Sequence, residues 1–331
     1  MACHICGSGD GVRLYEGSDK KFRGPGRFTY VRCRPCGLVY LHPRPSDREL
    51  SRYYPDYVTP VSTTSGSSSW ERMRQRLKRM VAAEWYGYSG SPGGTSRWLF
   101  RPLRKALTLP ISPLLSQVPR AQAGGRVLDI GCGSGGYLAF LASLGWTCVG
   151  IEPGPQSRAY AQDDLGLTVH AGPLTACALP EASFSVVTMW HVIEHLPDPL
   201  KTLREIHQLL KADGIVMLRT PNVDSFEARL FRGNWYGLDP PRHLYLFSPR
   251  TIRALLKRSG FAITRLRYEY HAHDCSRSLL YLAEDRGRQS LRQIVARWNR
   301  SLELSLTALA PFRRLFGSGA IMHVEARKAM R

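Results

Sequence analysis

The sequence predicts an α/β fold with a doubly wound sheet, preceded by a small cysteine-rich segment and carrying a helical insertion near its end. Three observations lead there. From Arg126 onward short apolar runs alternate with amphipathic stretches of helical length. One of those runs, Val127-Leu128-Asp129-Ile130, ends in a glycine-dense turn that opens directly into a helical pattern. And residues 1–45 hold four of the eight cysteines but too little apolar mass to form a core unaided.

Element by element, the pattern gives a strand over 126–131, a helix over 135–144, a strand over 147–151, a helix over 155–164 and strands over 167–170 and 184–189. There follow a helix over 199–211, a strand over 214–219, a helix over 249–259 and a strand over 261–269. A helical insertion is expected at about 276–316, and the apolar run 321–326 reads as a last strand. The domain boundaries that result are 1–45 for the cysteine segment, 46–120 for a linker and basic helices, and 121–331 for the α/β domain. Within 46–120, the Ser/Thr-rich tract 59–69 reads as a linker and 70–86 as a basic helix.

With 331 residues, 43% of them apolar, the chain has room for one large domain and a small one, which excludes disorder throughout. Forty-six Lys and Arg against 26 Asp and Glu leave a net charge of +20, which favours anionic partners: nucleic acid, phosphorylated small molecules or an acidic membrane surface. The excess lies in the flanks, because residues 121–270 carry 15 basic and 13 acidic groups and are nearly neutral. The start of the chain lacks the basic and apolar regions of a secretory signal, so reduced thiols and a cytoplasmic location are expected. Residues 99–118 are interrupted by Arg101, Arg104, Lys105 and prolines, and no membrane-spanning helix is expected.

Gly131, Gly133 and Gly135 follow the first strand, where the backbone must turn sharply and let a ligand approach. Twenty-one residues after Gly131, at the end of the next strand, Glu152 can accept hydrogen bonds from both hydroxyls of a ribose. These features specify a nucleoside-containing ligand. Asp129 beside the turn would repel a pyrophosphate and suits a cationic amino-acid group, which favours S-adenosylmethionine over NAD.

Here the sequence resembles the class I S-adenosylmethionine-dependent methyltransferases, through LDIGCGSG, GIEP, SFSVVTMWHVIEHLPDP, LREIHQLLKADGIVML and SGFAI. The resemblance implies a Rossmann-like seven-stranded sheet whose last strand, 321–326, is antiparallel. It implies that Asp129, Gly131, Cys132, Gly133 and Gly135 hold the methionine moiety and that Glu152 and Pro153 hold the ribose. Gly172 and Leu174 would frame the adenine, and Trp190 and His191 would stand at the mouth of the fourth strand, facing the methyl group.

Cys3-x-x-Cys6-Gly7 and Cys33-x-x-Cys36-Gly37 form two knuckles. Four thiolates satisfy a tetrahedral zinc ion and leave no position for water, so the metal is expected to be structural. With these knuckles and CGLVYLHPRPSDRELSRYYP at 36–55, the chain is similar to zinc-ribbon methyltransferases of bacterial polysaccharide and secondary-metabolite clusters, including deoxysugar C-methyltransferases. The resemblance implies a small-molecule acceptor, such as a nucleotide- or carrier-linked sugar. Those C-methyltransferases carry an acid before a histidine comparable with His243, where this chain has Arg242. Oxygen, nitrogen and carbon therefore all remain open as acceptor atoms.

Methyl transfer is an in-line displacement that needs alignment and a deprotonated nucleophile, for which an imidazole is the natural base. His243 is the first candidate and His191 the second. His191-Val-Ile-Glu194-His195 formally matches the H-x-x-E-H pattern of inverted zinc proteases. That motif needs a long helix, which Pro197 and Pro199 exclude.

Two other function classes compete for a chain of this charge. A nucleic-acid methyltransferase would use the basic stretch Arg72, Arg74, Arg76, Lys78 and Arg79, but the core is neutral and Asp239-Pro240-Pro241-Arg242 lacks the terminal aromatic of a base-flipping tetrapeptide. A membrane-binding module would use Arg313, Arg314, Leu315 and Phe316 on anionic lipid. Nucleic acid is thus not expected as a partner, peripheral membrane contact stays open, and the sequence leaves the oligomeric state unread.

Overall fold

Residues 3–54, 69–88, 117–270, 272–298, 303 and 319–329 are described by a computed structural model. The tract 59–68, the stretch 99–116 and the basic residues around 313–316 lie outside them. In chain order the elements are β1 (Gly11–Gly17), β2 (Phe28–Cys33), β3 (Val39–Leu41), α1 (Asp47–Ser51) and α2 (Ser69–Tyr86). Next come β4 (Arg126–Ile130), α3 (Gly136–Ala142), β5 (Thr147–Ile151), α4 (Pro155–Asp163), β6 (Thr168–His170), β7 (Phe184–Trp190) and α5 (Pro199–Leu209). The remainder is β8 (Leu210–Pro221), α6 (Phe226–Phe231), β9 (Tyr245–Leu246), α7 (Pro249–Arg258), β10 (Phe261–Glu269), α8 (Ala272–Asp285), α9 (Gln289–Arg297) and β11 (Ile321–Lys328).

Seven strands form one sheet in the order β10-β11-β8-β7-β4-β5-β6, the α/β Rossmann-like fold that the sequence predicts. β11 runs antiparallel to both β8 and β10. The helical insertion is present as α8 and α9, with the rest of its expected span outside the described residues. Among the described residues no helix is long and apolar enough to cross a membrane.

By contacts the chain divides into two compact units: Val58–Thr188, and Met1–Tyr57 together with Met189–Arg331. In the first, β4, β5 and β6 are parallel neighbours, with Asp129 opposite Gly150. Val127, Leu128, Val149, Ile151, Val186 and Val187 are buried on these strands and on β7. Such near-continuous apolar runs are what a parallel sheet covered on both faces requires. Gly150 is needed where it stands, since a Cβ there would come within 2.6 Å of Cys132 Sγ.

In the second unit a further sheet has the order β1-β2-β3-β9. The N-terminal strands end against a two-residue strand from far along the chain, with Val39 paired to Leu246 and Tyr40 to Tyr245. Sequence reasoning assigned no element between the strand at 214–219 and the helix at 249–259; a strand this short carries no periodic signature. Tyr30, fully buried, donates its hydroxyl to the carbonyls of His243 (2.7 Å) and Leu238 (3.0 Å). Trp235 is buried as well.

Candidate functional site

The glycine turn is built by backbone conformation. Gly131, Gly133 and Gly135 have φ of +73°, +56° and +78°, a region costly for residues with a Cβ. Glu152 locks the turn from the next strand end. Its Oε2 accepts the Gly133 amide and its Oε1 the Gly154 amide, each at 2.8 Å. A carboxylate has about four lone-pair sites, so each oxygen keeps one for a further donor. Asp129 is fully buried and accepts the Thr188 hydroxyl at 2.6 Å. Pro153 leads into α4, Gly172 has φ of +82° and Leu174 is buried at the start of a short 3-10 turn. Cys132 contributes its backbone to the turn, while its thiol packs against Gly150.

Two predictions arise here. Glu152→Ala removes two charge-assisted hydrogen bonds, so calorimetry should show S-adenosylmethionine affinity falling about ten- to hundredfold, the equivalent of about 1.5–3 kcal/mol. The second concerns Asp129, which burial and the nearby Glu152 charge push up to about 7, against the hydrogen bond from Thr188. A folded-state value raised above the ordinary carboxylate value of about 3.9 means that protonation favours the folded state. The ligand-free protein should therefore lose stability as pH rises from about 4 to about 7, and the difference in Tm between wild type and Asp129→Asn should trace that loss.

The residues of the second unit form a different cluster. His191 directly follows β7 with φ of +59°, a strained conformation for a residue with a side chain. Its amide donates to the Arg219 carbonyl at 2.9 Å, and its Nδ1–H donates to Glu194 Oε1 at 3.3 Å. The His191 side chain is 38% exposed, while that of Glu194 is 0% exposed. Burial alone would push the Glu194 carboxyl up, but the hydrogen bond from His191 and the neighbouring imidazoles hold it at about 2. Its second oxygen, Oε2, has no hydrogen-bond partner among the described residues.

His243 is only 7% exposed. Its Nδ1–H donates to the Gly237 carbonyl at 2.8 Å, and its Nε2 lies 4.0 Å from Glu194 Oε1 and 4.0 Å from Asp239 Oδ2. His195, whose Nδ1–H donates to the Arg242 carbonyl at 2.9 Å, meets His243 edge-on and is pushed down to about 4 by burial and by His243. Trp190 stacks on His323 with ring centroids 5.2 Å apart. Residues 191–195 form turns and no helix, as the prolines required, yet Glu194, His195 and His243 bring ligand-type atoms within 4.8 Å of one another.

The four N-terminal cysteines converge. Cys3, Cys6, Cys33 and Cys36 have their sulfurs within 4.8 Å of one another, with 3.4 Å between Cys3 and Cys36 and between Cys6 and Cys33. Tetrahedral zinc with bonds of about 2.3 Å spaces its sulfurs about 3.8 Å apart, so this donor set fits such an ion. Amides of Ser8, Cys36 and Leu38 donate to the sulfurs of Cys6, Cys33 and Cys36, and the knuckles close through Gly7 and Gly37 amides on the Cys3 and Cys33 carbonyls.

A family profile described as "Methyltransferase domain" matches residues 98–266, half of the chain. The chain belongs to this methyltransferase family. Curated relatives named "Ubiquinone biosynthesis O-methyltransferase" include one from Pseudomonas aeruginosa strain LESB58. It is 39% identical over 106 residues, which cover 30% of this chain and 46% of the relative. Another, from Ruegeria pomeroyi, is 34% identical over 158 residues, covering 43% of this chain and 60% of the relative. The methyltransferase chain thus spans about half the length of the curated relatives it matches. Among solved structures, an S-adenosylmethionine-dependent methyltransferase from Mesorhizobium loti shares 19% identity with a TM-score of 0.43, covering 66% of this chain and 97% of that one. One from Archaeoglobus fulgidus shares 18% at 0.44, covering 69% and 94%.

Sequence reasoning missed Arg242 and Asp19 as a pair. The difference in exposure between His243 and His191 is likewise invisible in a sequence. The one available signal was Glu194, three residues after His191 on a proline-broken turn.

Proposed function

We propose that this chain transfers a methyl group from S-adenosylmethionine to a small-molecule nucleophile, with His191 as the base and Glu194 as the group that orients it. The observation that carries this reading is the His191–Glu194 pair: an accessible imidazole in a strained conformation, hydrogen-bonded to a buried carboxylate. A buried acid on one ring nitrogen fixes the tautomer and leaves the other as acceptor. His243, with its ring enclosed among Gly237, Glu194 and Asp239, supports the loop and is not the base.

Bound S-adenosylmethionine supplies a methyl on a positively charged sulfur. The protein's part is to grip its ribose at Glu152, to keep Asp129 near its cationic end, and to take the acceptor's proton on His191 Nε2 as the nucleophile attacks. Along the chain Thr188, the partner of Asp129, precedes His191 by three residues. The names of the curated relatives favour a hydroxyl acceptor, on a sugar or another small metabolite, nucleotide- or carrier-linked where it bears phosphate. The cysteine cluster is read as a structural zinc site.

Tritiated S-adenosylmethionine and a bacterial metabolite extract test this. Label should pass to a small molecule with wild type, and mass spectrometry should show the gain of one methyl group. His191→Gln should abolish transfer while binding S-adenosylmethionine as tightly as wild type. Normal transfer by His191→Gln would end the assignment of the base, and failure of the wild-type chain to bind S-adenosylmethionine would end the whole reading.

A further inference from the structure

Arg242 is among the largest fully enclosed side chains of the protein, 2% exposed, although it carries a permanent charge. Its guanidinium makes two forked contacts. Nη1 and Nη2 donate to Asp19 Oδ2 at 3.0 Å and Oδ1 at 2.7 Å, and Nε and Nη2 donate to Asp239 Oδ2 at 3.1 Å and Oδ1 at 2.5 Å. Nη1 also reaches the Tyr53 carbonyl at 3.2 Å, and the plane of the group lies over the Phe22 ring. Both carboxylates respond. Burial would push Asp239 up, yet the hydrogen bonds from Arg242 hold it at about 2, and Asp19 is lowered for the same reason.

Each end of this bridge organises backbone. Asp19 accepts the amides of Lys21, Phe22 and Gly24, which folds the tip between β1 and β2 around it. Asp239 sits in left-handed conformation at φ +36°, and its carbonyl accepts the His243 amide at 3.2 Å. Immediately after Arg242 and His243, the amides of Leu244 and Tyr245 both donate to the carbonyl of Glu194, at 2.8 and 3.2 Å. Glu194 in turn holds His191. A continuous path therefore runs from Asp19 through Arg242 and the segment 239–245 to Glu194 and His191. A buried ion pair of this kind costs desolvation that packed apolar groups would not, and geometric specificity is what it provides in return.

We propose that Asp19 and Arg242 are positioning residues for methyl transfer: the N-terminal segment fixes the base from a distance, through a salt-bridge latch on the segment that carries His243. The proposal rests on the reading of His191 as the base. It predicts that loosening the latch degrades the His191–Glu194 geometry without touching cofactor affinity, because the glycine turn and Glu152 belong to the other unit.

The test uses the full chain with Asp19→Asn, which keeps the shape and removes the charge, and Arg242→Lys, which keeps the charge and removes the fork. Three quantities are read: hydrogen exchange of the Leu244 and Tyr245 amides, long-range 1H–15N spectra of the histidine rings, and calorimetric binding of S-adenosylmethionine. In both variants the two amides should exchange about tenfold faster or more, and the His191 ring signals should move from a single tautomer toward an averaged imidazole. Cofactor affinity should stay within about twofold of wild type. If Asp19→Asn fails to fold, Arg242→Lys gives the same readings. Unchanged exchange and unchanged ring signals in a folded variant would overturn the proposal. A merely structural latch would lower Tm and leave the His191 signals as they are, which also overturns it. The two readings fail separately. A loosened segment together with normal transfer by His191→Gln removes the base, whereas an intact segment together with inactive His191→Gln removes the latch alone.

Discussion

Glu194→Gln is expected to lower turnover by about 10²- to 10⁴-fold, the range that a positioned general base contributes, while S-adenosylmethionine still binds within about twofold of wild type. The substitution isolates chemistry from scaffold. The Glu194 carbonyl, which receives the Leu244 and Tyr245 amides, is untouched, and so is the side-chain volume. What disappears is the negative charge behind His191, together with the acceptor that selects its tautomer. A neutral amide can present an N–H to the ring and turn it the wrong way. His243→Gln is expected to differ. It breaks the bond to the Gly237 carbonyl and should lower Tm more than it lowers turnover. Rates and melting curves of the two variants, compared side by side, decide between the two histidines; a larger loss of turnover in His243→Gln would reverse the assignment.

Loss of zinc from the cysteine cluster is expected to abolish methyl transfer and to spare cofactor binding. A structural zinc site contributes about 10–16 kcal/mol of folding free energy in zinc-finger peptides, and in residues 1–45 it would act together with the β3–β9 pairing and the buried Tyr30, Val39 and Leu41. Without it β1, β2 and β3 lose their anchor. Their loss removes the partner of β9, the Tyr30 hydroxyl on the His243 carbonyl and the carboxylate of Asp19 on Arg242. Arg242 and Asp239 would then be left without their third member. The Gly131–Gly135 turn and Glu152 lie in the other unit and keep their own hydrogen bonds. Metal analysis of purified protein, followed by chelation with transfer and S-adenosylmethionine binding measured in parallel, checks this. Full transfer by zinc-depleted protein, or Cys33→Ser that is as active as wild type, would refute it.

The features legible in the sequence were those written by local backbone chemistry. Gly131, Gly133 and Gly135 announce positive φ, alternating runs announce strands and helices, and two Cys-x-x-Cys-Gly units announce a convergent set of sulfurs. The strands at 147–151 and 261–269 agree with the structure to the residue: the first is a short apolar run between Gly145 and Pro153, and the second starts directly after Gly260 and spaces its apolar residues among charged ones. The arrangement around His191 was not legible. Arg242 looked like a departure from an expected acid, yet the acids are present as Asp19 and Asp239, one of them supplied across 223 residues. No local pattern encodes such a pairing; only the closing of β3 onto β9 creates it. The burial of His243 and the exposure of His191 were not legible either, since both sit in loops whose enclosure depends on distant strands.

β11 lies between β8 and β10, so the neighbours on either side of it are synthesised well before residues 321–328. Until then β8 and β10 have a gap one strand wide between them, and each has a row of amides and carbonyls with no ladder to join. While the ribosome is still extending the chain, this half of the sheet cannot zip up. A nascent polypeptide stalled ahead of Ile321 should accordingly be protease-sensitive and prone to pair with strangers, and its release should coincide with a late, cooperative gain of protection.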